Sequence, residues 1–348
     1  MRRVTAAAVV GAALLLAGCS SSSSSSGTTS STATANSAAS AAPVTVRLGF
    51  LTNITHASAL VGLKEGFFTK DLGSAGTLKA TAFSTGTEET TALLAGQLDA
   101  AYVGPNPAIN AWQKSNGSAI KIISGAATGG ASIVVTKGIS AASQLKGKTL
   151  ATPSLGNTQD VALRYWLKQN GLATTSTGGG DAFIKPTTPN SAAVLEFKSG
   201  QIAGGSEPAP YDIEMVKDGG TVLLSESGVT TLLVVTQSFL SAHPAIVADL
   251  VKAQVQANDF IKSSPAAAQA DANAELGSYT GKPLKASIVA AAFKEITFTN
   301  DPDASSLTSD ASQAQSLGLL KPVNLSGIFD LGPLNTALAA AGESQVSS

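Results

Sequence analysis

Neutral hydrogen-bonding side chains are concentrated in the loops that follow the predicted strands of this sequence. These Asn, Ser and Thr residues are Asn53, Ser84, Thr87, Asn106, Thr128, Asn157 and Thr158. Such side chains, together with free backbone N–H groups at helix N-termini, can hold an oxyanion without a full counter-charge. Because Ser, Thr and Asn are also ordinary helix caps, each residue has a purely structural explanation as well. The pattern favours binding of a small molecule.

Groups that could carry catalysis are few. The two histidines, His56 and His243, lie far apart, and neither belongs to an H-x-x-x-H or H-E-x-x-H pattern that would indicate a metal site. The sequence also lacks G-x-S-x-G, P-loop and G-x-G-x-x-G motifs. His243 precedes Pro244 and is interpreted as an exposed residue before a helix, whereas His56 is either a helix-capping residue or a ligand contact. We expect no enzyme, cofactor or metal ion.

The stretch Ala151–Gly171 indicates how secondary structure positions these side chains. Its pattern predicts a short strand, a small-residue turn containing Gly156, and an amphipathic helix. Asn157 or Thr158 can cap this helix, and Asp160 falls in its first turn. A glycine-containing turn between strand and helix leaves backbone N–H groups free to face a ligand. We therefore predict that this turn forms one wall of a binding cleft.

Strands and helices alternate along the chain from Val44 onward. Val44, Val46, Leu48 and Phe50 alternate with small or polar residues, which is typical of a strand. Strands alternating with helices of about ten residues predict an α/β fold with largely parallel sheets. In such sheets ligands bind beyond the carboxyl ends of the strands. The last third of the chain is mainly helical in pattern, and we expect it to return to the first lobe.

The N-terminal sequence predicts a location outside the cytoplasm. Arg2 and Arg3 precede an apolar run that is too short for a comfortable membrane span and ends at Cys19. This arrangement resembles the bacterial lipoprotein signal, which implies that residues 1–18 are removed and that Cys19 is lipidated. An ordinary signal peptide with a chance cysteine is the alternative. Residues 19–43 are almost entirely small and polar, and we interpret them as a flexible tether.

Composition limits the partners. The chain has 348 residues, of which 43% are hydrophobic and 13% charged, and this suits one large or two medium globular domains. The formal net charge is −1 and no basic stripe or aromatic platform is present, so nucleic acid is not expected as a partner. We expect a monomer that binds a small solute.

Several segments together resemble the solute-binding proteins of nitrate, sulfonate and taurine ABC importers. They are RLGFLTNITHASALVGLKEGFF, STGTEETTALLAGQLDAAYVGPNPAINA and LKGKTLATPSLGNTQDVALRYWLKQNGL. The resemblance implies a type II periplasmic-binding fold of two α/β lobes joined by two crossovers. Lobe 1 would comprise residues 44–137 and 231–348, and lobe 2 residues 138–230. The ligand-binding residues that it implies are Asn53, His56, Ser84, Gly86, Thr87, Asn106, Thr128, Gly129, Gly156, Asn157, Thr158, Glu207 and Pro208.

The same resemblance implies capture of a sulfonate, nitrate or taurine-like solute and its delivery to a membrane permease. No Arg or Lys falls within the matched loops, although Arg164 and Lys185 could reach the cleft. If Glu207 points into the cleft unpaired, it would favour a cationic or hydrogen-bond-donating group. A receptor for a neutral thiamine-pyrimidine-like precursor and a ligand-sensing lipoprotein are therefore alternatives. A related pyrimidine synthase is disfavoured, because lipidation of Cys19 leaves no cysteine for its cysteine-rich motif.

Overall fold

The alternating residues at the start of the folded chain form strand β1, as predicted. In the computed structural model, which describes residues 42–348, β1 comprises Val44–Leu51, and Val46, Leu48 and Phe50 are fully buried. The predicted signal peptide, Cys19 and all but the last two residues of the predicted tether lie outside the described residues. No helix within residues 42–348 is both long and apolar enough to cross a membrane.

The described residues form eleven strands and thirteen α-helices. The strands are β1 Val44–Leu51, β2 Gly76–Phe83, β3 Ala100–Val103, β4 Ile120–Gly129, β5 Ala131–Val135, β6 Thr149–Thr152, β7 Phe183–Pro186, β8 Gly204–Pro208, β9 Thr221–Ser225, β10 Val229–Thr236 and β11 Ile296–Phe298. The helices are α1 Ala57–Lys64, α2 Phe67–Leu72, α3 Gly86–Leu94, α4 Pro105–Lys114, α5 Thr158–Gln169, α6 Asn190–Lys198, α7 Tyr211–Lys217, α8 Gln237–Ala242, α9 Pro244–Ser263, α10 Pro265–Thr280, α11 Ala286–Glu295, α12 Ala304–Ser316 and α13 Gly332–Ala341.

The strands pair into two separate sheets. The first has the order β11-β4-β10-β3-β1-β2, and we call it and its helices lobe 1. The second has the order β7-β6-β8-β5-β9, and we call it and its helices lobe 2. β10 in the first sheet and β5 in the second run antiparallel to both of their neighbours. The α/β class is confirmed. The sheets are mixed, because the chain enters lobe 2 through β5 and returns to lobe 1 through β10, and these two strands are the antiparallel ones.

The chain passes between the lobes twice, at Gly129-Gly130 and at residues 226–228. Both glycines have positive φ, +69° and +74°, and a Cβ on Gly129 would lie 2.6 Å from a backbone carbonyl oxygen. Strand β5 pairs only with lobe 2 strands, so the boundary predicted after residue 137, which put β5 in lobe 1, is wrong by one strand. β5 is buried throughout, and its continuous apolar run fits either sheet.

The C-terminal helices cover lobe 1, as predicted. Val247, Leu250 and Val251 of α9 join the buried cluster that contains Leu48 and Phe50 of β1. A second cluster fills the opposite face of this sheet, with α4 and α12 packed against it. Two smaller clusters fill the two faces of the lobe 2 sheet. Burial on both faces holds the strand ends, and therefore the loops that follow them, in fixed positions.

Candidate functional site

A small cavity lies between the lobes at the carboxyl ends of β1, β3, β6 and β8. Its volume is about 20 Å³, which is room for about one water molecule. The residues that line it come from both lobes and are Leu51, Asn53, Thr55, His56, Gly86, Gly104, Pro107, Asn157, Thr158, Gln159, Pro208 and Thr230. The cavity therefore lies at the edge of the sheets where the sequence predicted ligand loops.

About half of the predicted binding residues line this cavity. Those that do are Asn53, His56, Gly86, Asn157, Thr158 and Pro208. Those that do not are Ser84, Thr87, Asn106, Thr128, Gly129, Gly156 and Glu207. Six residues that line the cavity are absent from the predicted set, namely Leu51, Thr55, Gly104, Pro107, Gln159 and Thr230. Gln159 could have been found from its place beside Thr158 in the first turn of α5, whereas Thr230 lies in an apolar strand with no such pattern.

The cavity is small because the lobes touch around it. The hydroxyl oxygens of Thr87 and Ser154 lie 3.2 Å apart, with one residue in each lobe. The Tyr211 hydroxyl of α7 donates a hydrogen bond of 2.9 Å to the carbonyl oxygen of Thr52 after β1. Gly104 approaches Thr158 so closely that a Cβ on Gly104 would lie 2.6 Å from the Thr158 Oγ1. The structure is thus a conformation with the cleft closed.

His56 is a neutral hydrogen-bond donor at this cavity. The backbone N–H of Leu51 donates to His56 Nδ1 at 3.2 Å. Burial lowers the pKa of His56 from 6.5 to about 3, so the ring is uncharged at neutral pH. Because Nδ1 accepts a hydrogen bond, the single ring proton is on Nε2. The side chain has no role as a helix cap, since it makes no cap hydrogen bond to α1.

Three carboxamides at the cavity have their oxygens engaged by neighbouring groups. Asn53 Oδ1 accepts from the Thr55 hydroxyl at 2.7 Å. Asn157 Oδ1 accepts from the Asp160 backbone N–H at 2.9 Å, and Gln159 Oε1 accepts from Asn157 Nδ2 at 3.1 Å. The NH₂ groups of Asn53 and Gln159 have no hydrogen-bond partner within residues 42–348. The free hydrogen-bonding capacity of these amides is therefore mainly that of donors.

The N-terminus of α5 adds further donors. Asn157 is the N-cap of α5, as one of the two predicted alternatives, and Thr158 is its first residue. The first N–H groups of an α-helix have no partner inside the helix, and the helix dipole gives this end a partial positive charge. Gly156, with φ of +75°, turns the chain into the helix, and its N–H donates to Asp160 Oδ2 at 2.9 Å.

The two cations that could have reached the cleft are engaged elsewhere. Arg164 is buried inside lobe 2, where Nε donates to Asp160 Oδ2 at 2.9 Å and Nη1 donates to the Thr175 carbonyl oxygen at 2.5 Å. The Lys185 ammonium pairs with Glu196 at 2.5 Å on the surface. Neither side chain lines the cavity. The residues that line it carry no full positive charge, since His56 is neutral.

Other predicted site residues have structural roles. Asn106 lies within the first turn of α4, because the helix begins at Pro105 with Gly104 as N-cap and a proline needs no N–H partner at the first helical position. The Asn106 Nδ2 donates to the Asp310 carbonyl oxygen at 3.3 Å. Thr128 pairs within the lobe 1 sheet, and Gly129 forms the crossover. Ser84 and Thr87 are exposed at the rim of the cleft.

Glu207 lies in β8 opposite Ser132 of β5 and is fully buried. Neither of its carboxyl oxygens has a hydrogen-bond partner within the described residues. Burial, together with the nearby charge of Asp212, raises the pKa of Glu207 well above its ordinary value, which favours the protonated form. Because Glu207 does not line the cavity, it is not available there to bind a cation.

This arrangement is suited to binding a small solute. Its free groups are neutral N–H and O–H donors around a closed cavity, and they match an acceptor-rich solute. In the part of the chain that the structure describes, no group of three or more His, Cys, Asp or Glu side chains is arranged to hold a metal ion.

Similar folds occur among solved structures. The alkanesulfonate-binding protein SsuA from Xanthomonas axonopodis pv. citri, bound to MOPS, gives a TM-score of 0.69 at 16% identity over 84% of this chain and 100% of that chain. The periplasmic nitrate-binding protein NrtA from Synechocystis PCC 6803 gives 0.72 at 15% identity over 86% and 89%. A zinc-bound ligand-binding component of an ABC-type import system from Staphylococcus aureus gives 0.69 at 15% identity over 84% and 99%.

At these identities the likeness establishes the periplasmic binding protein fold. No curated protein matches the chain. The model of the NMT1-like family matches residues 39–276, which span most of the two lobes. The chain therefore belongs to the NMT1-like family.

Proposed function

We propose that this chain is the extracytoplasmic solute-binding component of an ABC importer. The observation that carries the proposal is the interlobe cavity, whose lining residues come from both lobes and present mainly neutral donors. Closure of two lobes around a solute is the way in which such a component stabilises one conformation for a partner. Three proteins of similar fold support the same function: an alkanesulfonate-binding protein, a periplasmic nitrate-binding protein and a ligand-binding component of an ABC-type import system.

The proposed solute is a small sulfonate, nitrate or taurine-like oxyanion. Its oxygens would accept hydrogen bonds from the NH₂ groups of Asn53 and Gln159, from His56 Nε2 and from the N-terminus of α5. A neutral pyrimidine-like precursor is a second candidate, because the cavity lining contains no full positive charge. We propose that the protein binds its solute without chemical change and then docks on a membrane permease.

The remaining elements of the proposal concern location. Lipidation of Cys19 and removal of residues 1–18 would anchor the chain to the outer face of the cell membrane through a flexible tether. Cys19→Ser is expected to shift the protein from the membrane fraction to the soluble fraction and to abolish labelling by a radioactive fatty acid. Retention of the label in Cys19→Ser would contradict the proposed anchor.

The test of function is a binding screen of the purified chain against alkanesulfonates, taurine, nitrate and pyrimidines. A solute present at about a hundred times its dissociation constant adds about 2.7 kcal/mol to the free energy of unfolding, which a thermal-shift assay detects. If none of these compounds shifts the melting temperature, the proposed solute range is wrong.

Gln159→Glu distinguishes the two solute classes. This change keeps the size of the side chain and places a negative charge at the cavity, while an acidic residue in the first turn of α5 is favourable for the helix. We expect it to weaken binding of an oxyanion about tenfold or more. Because Gln159 is buried, we also expect it to lower the unliganded melting temperature. Unchanged affinity for an anion would mean that the solute does not approach Gln159. The matched control is Gln169→Glu at the other end of the same helix.

A further inference from the structure

A buried ion pair lies directly beneath the N-terminus of α5. Asp160 is 0% exposed and Arg164 is 1% exposed, and Arg164 Nε donates to Asp160 Oδ2 at 2.9 Å. Both residues lie on α5, one helical turn apart. Neither lines the cavity, so this pair is not itself a contact for the solute.

The Asp160 carboxylate holds the turn that precedes the helix. Its Oδ2 accepts from the Gly156 backbone N–H at 2.9 Å, and its Oδ1 accepts from the Thr152 hydroxyl at 3.0 Å. The carboxylate thus ties the end of β6, the turn and the first turn of α5 to one point. Since Asn157 and Thr158 lie between Gly156 and Asp160, this point determines where both residues meet the cavity.

Arg164 in turn holds the carboxylate. Its Nη1 donates to the Thr175 carbonyl oxygen at 2.5 Å, which fixes the guanidinium against the loop after α5. Its Nη2 is buried without a partner within residues 42–348, which costs free energy. A buried ion pair is in general a weak source of stability compared with apolar packing. What the pair does supply is a carboxylate in a fixed position whose charge is compensated.

Arg164 compensates the charge of Asp160, and this matters because Asp160 lies in the first turn of α5. A negative charge in the first turn of a helix reduces the positive potential that the free N–H groups present to an anion. Arg164 Nε donates to the same Asp160 Oδ2 atom that accepts from the Gly156 N–H, and the guanidinium offsets the carboxylate charge. The N-terminus of α5 can therefore keep its attraction for an oxyanion while the carboxylate still anchors the turn.

We propose that Arg164 is a positioning residue of the solute site, which acts through Asp160 to hold the Gly156 turn and does not touch the solute. This role in binding rests on the function proposed above. The position of the turn itself does not depend on that function, so it can be measured on the unliganded protein.

The experiment compares Arg164→Gln, Arg164→Lys and the control Lys185→Gln, which breaks the exposed Lys185–Glu196 pair in the same lobe. Amide hydrogen exchange of Gly156 in the unliganded full-length chain is measured against that of Leu150 in β6. We expect Arg164→Gln to speed exchange at Gly156 about tenfold relative to Leu150. The Asp160 carboxylate is then no longer held in place by Arg164, so the hydrogen bond that it accepts from the Gly156 N–H is weakened. Arg164→Lys should recover most of the protection, and Lys185→Gln should change neither amide.

Binding of nitrate and ethanesulfonate by calorimetry is the second measurement. We expect affinity for whichever probe binds the native chain to fall about tenfold in Arg164→Gln and to recover partly in Arg164→Lys. If Gly156 and Leu150 change equally, or if both Arg164 variants behave alike, Arg164 only stabilises the fold and the proposal is overturned. If neither probe binds the native chain, the proposed function loses its support, while exchange at Gly156 still decides the role of Arg164. Should Arg164→Gln fail to fold, Arg164→Lys alone decides, through exchange at Gly156 relative to Leu150.

Discussion

Thr87 and Ser154 bring their hydroxyl oxygens to within 3.2 Å of each other across the cleft. Thr87 belongs to α3 of lobe 1, and Ser154 belongs to the turn between β6 and α5 of lobe 2. α3 follows β2, and the turn follows β6. The contact exists only when the lobes are closed, so it reports on closure.

Loss of this contact should speed release of the solute. Thr87→Val removes one hydroxyl and keeps the side-chain shape, and a single hydrogen bond is worth about 1 kcal/mol. We therefore expect a dissociation rate several-fold higher by stopped-flow fluorescence, with little change in the unliganded melting temperature. Thr91→Val is the control, because the Thr91 hydroxyl bonds only within α3, to the Thr87 carbonyl oxygen. Equal dissociation rates in the native chain and Thr87→Val would show that the contact is unimportant for closure.

Gly104→Ala should oppose closure for a steric reason. The φ of Gly104 is −67°, so alanine fits the backbone, but its Cβ would lie 2.6 Å from Thr158 Oγ1 in the other lobe. We expect weaker solute binding and a larger radius of gyration by small-angle X-ray scattering in the presence of solute. The double variant Gly104→Ala/Thr158→Ala removes the clashing oxygen and should close again. If the single and double variants scatter alike, this close approach does not limit closure.

Two substitutions of Asn157, the N-cap of α5, should separate its contribution to stability from its contribution to solute binding. Asn157→Ala removes the acceptor for the Asp160 N–H and should lower the free energy of unfolding by about 1 kcal/mol. Asn157→Asp keeps a good cap, but it loses the donor to Gln159 and adds a negative charge beside the cavity. We therefore expect Asn157→Asp to melt like the native chain and to bind an oxyanion more weakly than Asn157→Ala. The reverse order of affinities would exclude an anion beside this residue.

Stability should fall as the pH rises from about 4.5 to about 7, because of the half-buried carboxyl of Glu226. Burial raises the pKa of Glu226 from 4.5 to about 7, and Glu226 Oε1 accepts from the Ser206 hydroxyl at 2.8 Å. Between these pH values the folded state keeps a proton that the unfolded state has lost, so the unfolding free energy decreases as pH rises. In Glu226→Gln, the loss of unfolding free energy between these pH values should be smaller by an amount of the order of 3 kcal/mol, measured by urea titration. The exposed Glu88→Gln serves as control.

The buried ring of His56 should instead lower the free energy of unfolding as the pH falls. Its folded pKa of about 3 lies below the ordinary 6.5, so the unfolded chain binds a proton that the folded chain does not. Stability is therefore lost as the pH falls from 6.5 toward 3. NMR should show that the ring of His56 stays neutral down to about pH 4, with His243→Asn used to assign the signals. Titration of His56 near its ordinary pKa would show that it is hydrated rather than bonded to Leu51.

Local patterns in the sequence determined much of the fold. The alternation in β1 and the cap at Asn157 depend on contacts between residues a few positions apart, and both are observed. Thr85 also caps α3, with its hydroxyl accepting from the Glu88 N–H at 3.2 Å. The alternation of such strands and helices also predicted the α/β class. These features follow from periodicity and backbone hydrogen bonding, which a short segment specifies by itself.

Tertiary structure alone decided how the site is built. β5 joins lobe 2 because β8 and β9, far along the chain, flank it, and its apolar run would suit either sheet. Arg164 is a buried partner of Asp160 rather than a ligand contact, because the loop at Thr175 closes over it. His56 is a neutral donor because Leu51 and complete burial determine its proton. Sheet pairing, burial and charge compensation depend on distant segments, and the residue types in a single loop do not encode them.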